Sequence, residues 1–207
     1  MPHWMTRCLL ISLGLLFLVS CGSYPKRNGF QKDALQPSNE NLYFSNETKD
    51  YVYKANIEVY GKTFGGLFIV KKLGDNKHRV AFTTEMGNKL FDFSFENEEF
   101  SVNYILEELD RKMLINVLRD DFWVLLKSPL EVEGVYSQDN FLIFETMLDR
   151  YPHFYFFEDE QLKKVVRAKG GKGKVDFLFG DAEGSTAKQI QIIHHNIKLK
   201  INLKSIK

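Results

Sequence analysis

Cysteine is scarce in this chain. Only Cys8 and Cys21 occur in 207 residues, which excludes a disulfide framework and a thiolate metal site. An excess of charge of one sign is also missing. The 28 Lys and Arg stand against 27 Asp and Glu, and that balance argues against nucleic acid as a partner. No apolar run reaches the ~20 residues of a membrane-spanning helix. Catalytic signatures are absent too: there is no Gly-x-Ser-x-Gly elbow and no His-Glu-x-x-His. The run Lys169-Gly170-Gly171-Lys172-Gly173-Lys174 lacks the Walker spacing and its final Ser or Thr, and reads as a hairpin turn. His194 and His195 are adjacent on a strand, so they point to opposite faces, with a bulge expected there. Asp92, between Phe91 and Phe93, reads as a solvated or hydrogen-bonded carboxylate. Nothing here proposes an enzyme, a cofactor or a metal centre.

The N-terminus is informative. Arg7 precedes an apolar stretch, Cys8–Val19, of signal-peptide length. Leu18-Val19-Ser20-Cys21 resembles the lipobox of bacterial lipoproteins. The resemblance implies that residues 1–20 are removed and that Cys21 becomes the lipidated first residue. Gly22 stands where Asp commonly signals inner-membrane retention, and no acidic surface-export tag follows. The expected location is therefore the periplasmic face of the outer membrane. Residues 21–40 read as the lipidated Cys and a flexible tether, with a reach of roughly 25 Å. Residues 41–207 read as one domain. Its charge is uneven, with 18 acidic and 6 basic residues in 85–160, and 11 basic and 3 acidic in 163–207. The basic part could face anionic head groups, but reads first as Lys that guards strands against edge pairing.

From Tyr51 the apolar period is two. Alternating segments at 51–59, Thr63–Lys72, Arg79–Glu85, Lys89–Glu96 and Glu99–Tyr104 are separated by Gly, Asn and Asp turns. Glu107–Lys127 contains no Pro or Gly and repeats its leucines at three and four, so it reads as helical. Asp120-Asp121 is a candidate cap for a second short helix, and Pro129 ends the segment. Strands resume near Val132–Ser137, then at Asn140–Met147, His153–Glu158, Gln161–Lys169, Lys174–Gly180 and Ala187–Lys204. The fold class expected is mainly β, an α+β chain. About eleven antiparallel strands curve into an open barrel, plugged by the central helical segment.

That order of lipobox, linker, meander, helical segment and second meander resembles the LolA/LolB-like family of lipoprotein carriers and receptors. The resemblance implies a membrane-anchored protein that binds acyl chains of other lipoproteins and helps insert them into the outer membrane. It implies as partners outer-membrane lipid, lipidated proteins and a LolA-like periplasmic carrier, with the chain itself a monomer. Within Phe82–Phe91, Met86-Gly87 matches the family's protruding membrane-insertion loop; Met86 either protrudes or folds back on the core. The acyl-chain cavity would be lined by Phe68, Val70, Phe82, Phe91, Phe93, Leu114, Leu118 and Phe144, each also a core candidate. Two other readings are a scaffold of this fold in another outer-membrane machine and an anchored hydrolase. Cys21→Ala should leave an exported, soluble protein on fractionation; membrane retention of that variant would contradict the anchor.

Overall fold

The computed structural model describes residues 22–34 and 40–206. The signal segment, Cys21 and residues 35–39 lie outside the described residues. The chain opens with a short helix, α1 (Tyr24–Arg27), and a two-residue strand, β1 (Gln31–Lys32). The first meander is β2 (Asp50–Val59), β3 (Lys62–Gly74), β4 (Lys77–Thr83), β5 (Lys89–Glu96) and β6 (Glu99–Ile105). A 3₁₀ turn (Glu107–Leu109) and helix α2 (Lys112–Leu126) follow. The second meander is β7 (Val132–Gln138), β8 (Phe141–Leu148), β9 (Tyr151–Glu158), β10 (Gln161–Lys169), β11 (Lys172–Glu183), β12 (Thr186–His194) and β13 (Leu199–Ser205).

All thirteen strands form one antiparallel sheet, in the order β1-β7-β8-β9-β10-β11-β12-β13-β2-β3-β4-β5-β6. β13 pairs with β2, joining the meanders, while β1 and β6 remain edges, so the sheet is open. The count of eleven is corrected to thirteen. One addition is β1. The other arises because Ala187–Lys204 is a hairpin and not one strand: Ile193 pairs with Lys200, so the chain reverses at His195–Lys198. No Gly or Pro marks that turn; its one turn residue is Asn196, and the apolar positions change there from even (Ile190, Ile192) to odd (Ile197, Leu199, Ile201).

Helix α2 lies on the inner face and touches both halves of the sheet. Phe122 packs on Phe68 at 5.1 Å between ring centroids, and the hydroxyl of Tyr155 reaches the carbonyl of Val124 at 3.5 Å. Asn41 donates to the next carbonyl, Leu125, at 3.0 Å. These two side chains meet carbonyls that a helix end leaves without intrahelical partners. The expected break at Asp120-Asp121 is absent. α2 runs through it, because the Asp121 carboxylate turns to the sheet and leaves no cap for a second helix start.

Residues 22–34 are not a free tether. Tyr24 and Phe30 pack on Phe154 at 4.7 and 6.0 Å, and the amide of Asp33 donates to Val135 at 2.9 Å. The carbonyl of Gly22 lies against Gly171 in the β10–β11 turn, where any Cβ would collide. The cause is β9. Phe154, Tyr155, Phe156 and Phe157 follow one another, so the strand is apolar on both faces. Tyr155 and Phe157 face α2, while Phe154 and Phe156 need cover on the outer face, which the N-terminal segment supplies. Phe30→Ala removes about half a buried aromatic, on the order of 1.4 kcal/mol. Hydrogen exchange at Asp33 should rise roughly tenfold, with the strands β2–β5 unchanged; equal protection in both chains would refute the docking.

Candidate functional site

The eight residues expected to line an acyl-chain cavity do come together. Phe68, Val70, Phe82, Phe91, Phe93, Leu114, Leu118 and Phe144 belong to one buried cluster. Phe91 stacks on Phe93 at 4.7 Å, and Phe82 meets Phe91 at 5.4 Å. Phe122 of α2 adds contacts to Phe68, Phe91 and Phe93. These side chains touch each other and the helix, and none lines the cavity of about 580 Å³ that the structure contains. In this structure they form the packing between helix and sheet. Aromatic rings interdigitate at interior density, so a strip of inward phenylalanines fills its own space.

The open volume lies beside this packing, between α2, the start of β6 and the β8–β9 hairpin. Helix α2 contributes Arg119, Asp120, Trp123 and Lys127, and Phe100 of β6 forms an opposing wall. Met147, Leu148 and Tyr151 contribute from the hairpin. At about 580 Å³ the cavity is within the range of small-molecule sites.

Its floor is polar. Thr146 on β8 pairs with His153 on β9, and His153 with Arg167 on β10. Arg167 pairs with Val175 on β11, and Val175 with His194 on β12. Directly opposed residues share a face, so this row of five runs across the inner face beneath α2. Asp121 comes down onto it from the helix. Arg167 Nη2 donates to Asp121 Oδ1 at 3.0 Å and His194 Nε2 to Oδ2 at 2.7 Å, with the Asp121 side chain 0% exposed. Removing one partner from so buried a pair typically costs about 3–5 kcal/mol, so this contact fixes where α2 lies.

His153 is 2% exposed. Its Nδ1 is 2.8 Å from the carbonyl of Tyr151, which only accepts, so Nδ1 carries the hydrogen and Nε2 a lone pair. Burial, aided by the Arg167 charge and opposed by the Tyr151 hydrogen bond, pushes its pKa from 6.5 down to about 3. The imidazole is neutral at physiological pH. His195 is on the other face from His194 and pairs with Asp176 at 3.1 Å. Among the described residues no group of three or more His, Cys, Asp or Glu converges as a metal site. The Lys169–Lys174 run forms the β10–β11 hairpin.

Asp92 is on the outer face, buried under a bidentate Arg79 fork at 2.8 and 2.7 Å, with Lys89 at 2.7 Å and Asn103 at 3.2 Å. The Arg79 hydrogen bond holds its carboxyl well below the usual carboxylate range. Met86 protrudes: it is 92% exposed, in the tight turn closed by Gly87 N–H to the Thr84 carbonyl at 2.9 Å. Gly87 has a φ of 87°, which glycine adopts without strain.

Trp123, His153, Arg167, Thr146 and Asp121 escaped the sequence reading. Asp121 had a legible signal. It interrupts the stripe Leu114, Leu118, Leu125 at the position where an apolar residue belongs.

No family model matches the chain, and no curated protein matches it. Among solved structures, the crystal structure of a DUF1329 family protein from Desulfovibrio piger aligns with a TM-score of 0.39 and 8% identity, over 75% of this chain and 83% of that one. A likeness that loose carries no statement about the site.

The His153 shift has a sign. Below pH 6.5 the unfolded chain takes up a proton that the folded one refuses until about pH 3. Stability present at neutral pH is lost as pH falls through that window, by up to about 1.4 kcal/mol per pH unit. Urea denaturation between pH 7 and 4 should show a shallower fall for His153→Phe; parallel curves would place the titration elsewhere.

Proposed function

We propose that this chain binds the acyl portion of an amphiphile at the seam between α2 and the sheet, without catalysing a reaction, and delivers it to an adjacent bilayer. In its full form the reading is of a LolB-like receptor at the periplasmic face of the outer membrane. It would be anchored through Cys21, take lipidated proteins from a LolA-like carrier, and use Met86 to enter the lipid. The carrying observation is the cavity of about 580 Å³ walled by Phe100 and Trp123. Trp123 packs on Phe95 at 5.5 Å, and through it the cavity adjoins the aromatic cluster under α2. A hydrocarbon entering there meets apolar wall first and can progress only by replacing helix contacts.

The magnitudes are compatible. Six apolar side chains of α2 are buried, and uncovering them costs about 9–18 kcal/mol. A sixteen-carbon chain regains roughly 12 kcal/mol at about 0.8 per methylene. The Asp121 contacts to Arg167 and His194 add to the cost of moving the helix, so a bound chain would exchange with part of the α2 packing and not with the whole helix. The scaffold reading is favoured by one feature. The edge strand β6 exposes Val102 and Tyr104 at 41% and 42%, an edge onto which another chain can add a strand.

The test uses Trp123. In a Trp4→Phe chain it is the remaining tryptophan. Brominated palmitoyl amphiphiles should quench its emission saturably, and unlabelled ones should reverse the quenching. Met86→Glu should leave quenching intact and slow transfer of the amphiphile to vesicles several-fold. Absence of quenching at any lipid concentration would overturn the reading.

A further inference from the structure

Among the described residues three buried side-chain polar atoms lack a hydrogen-bond partner: Tyr53 Oη, Thr146 Oγ1 and His153 Nε2. The last two belong to cross-strand neighbours, Thr146 on β8 opposite His153 on β9. Both residues line the same cavity. Thr146 is 0% and His153 2% exposed, so neither is a surface group that bulk water satisfies. A buried polar group left unmatched costs about 1–3 kcal/mol, and these two, on neighbouring strands and buried beneath the lining of one cavity, are a built demand for a ligand.

Their chemistry defines what answers the demand. His153 Nε2 presents a lone pair, because Nδ1 donates to the Tyr151 carbonyl. It accepts a hydrogen bond and rejects a bare acceptor. Thr146 Oγ1 has a rotatable hydrogen to give and lone pairs to receive with. A single alcohol meets both, its hydrogen to His153 Nε2 and its oxygen to the Thr146 hydroxyl. A carboxylate or a plain ester offers no hydrogen to Nε2. Beside the pair, Arg167 already spends a donor on Asp121, and Arg119 donates to Asp120 at 2.7 Å. Arg167 and Arg119 are thus committed to carboxylates of the protein itself, and Lys127 is the cavity cation outside those pairs. The apolar surface of Met147, Leu148, Trp123 and Phe100 borders the polar floor. The site combines a hydroxyl-binding corner with a hydrocarbon wall.

We infer that Thr146 and His153 form a hydroxyl-recognition corner, and that the cavity selects amphiphiles bearing an uncharged alcohol next to their chain, of the acylglycerol kind. This rests on the acyl-chain reading above. A water molecule would satisfy the same two atoms, so the test must separate a selective corner from a hydrated one.

Binding of 1-palmitoylglycerol, methyl palmitate, palmitate and glycerol is measured by Trp123 quenching competition and calorimetry on the Trp4→Phe chain. The monoacylglycerol should bind roughly tenfold more tightly than the methyl ester or the fatty acid, the factor expected when a buried donor and acceptor go unmatched. That ratio should fall to about one in His153→Phe and, independently, in Thr146→Val, a near-isosteric change that guards against loss of folding. Equal affinity for monoacylglycerol and methyl ester would mean a hydrated corner only, and would overturn the inference while sparing the acyl-chain reading. Glycerol binding as tightly as the monoacylglycerol would assign the corner to a free polyol and overturn the amphiphile. No binding of any of the three lipids would overturn both readings.

Discussion

Asp121 enters the interior on an otherwise apolar helix face, and its charge is tolerable there only because Arg167 and His194 meet it from two strands, β10 and β12. Most of what is specific about the molecule follows from that contact. Hydrophobic burial alone places a helix on an apolar sheet face without fixing its position, since greasy surfaces tolerate sliding. A carboxylate with two directional partners 3.0 and 2.7 Å away does not. It sets the helix's height and rotation, so that Phe122 faces Phe68 and Trp123 is left at the seam. The cavity exists because the helix is held there.

The inner face is apolar throughout, with one polar row crossing its second half. Strands β3–β5 present phenylalanines that pack tightly against α2. Strands β8–β12 present a polar row with Thr146, His153, Arg167 and His194. Both halves give cohesion, and the polar row adds orientation. The cavity beside that row has both polar and apolar lining.

Much of the architecture was readable in the chain. Alternation in Lys89–Glu96 and Lys77–Thr83, the helix-compatible run Lys112–Leu126 and the glycine-marked hairpins specify antiparallel strands around a helix. The β12–β13 reversal is marked only by Asn196 and by the shift of apolar positions from even to odd, a fainter signal than a glycine turn. Docking of the N-terminal segment was hidden because Tyr24 and Phe30 are too few to show a period. Its cue was elsewhere, in the unbroken aromatics of β9. The open cavity lies on other residues than the aromatic strip for a related reason. Large aromatic side chains name a core, whereas a cavity is named by polar residues out of place, such as Asp121 in the leucine stripe or His153 beside Phe154. Neither Thr146 nor Trp123 had a pattern to betray it, since their neighbours come from distant strands.

The contact between Gly22 and the Gly171 turn bears on whatever is attached one residue earlier. Gly22, the first of the described residues, is thus already held against folded protein, with no free linker between it and the hairpin. A load carried there would act as a stiff handle and not as a string. Pulling or pressing on it would be felt directly at the β10–β11 hairpin, and the body could not swivel freely about its attachment.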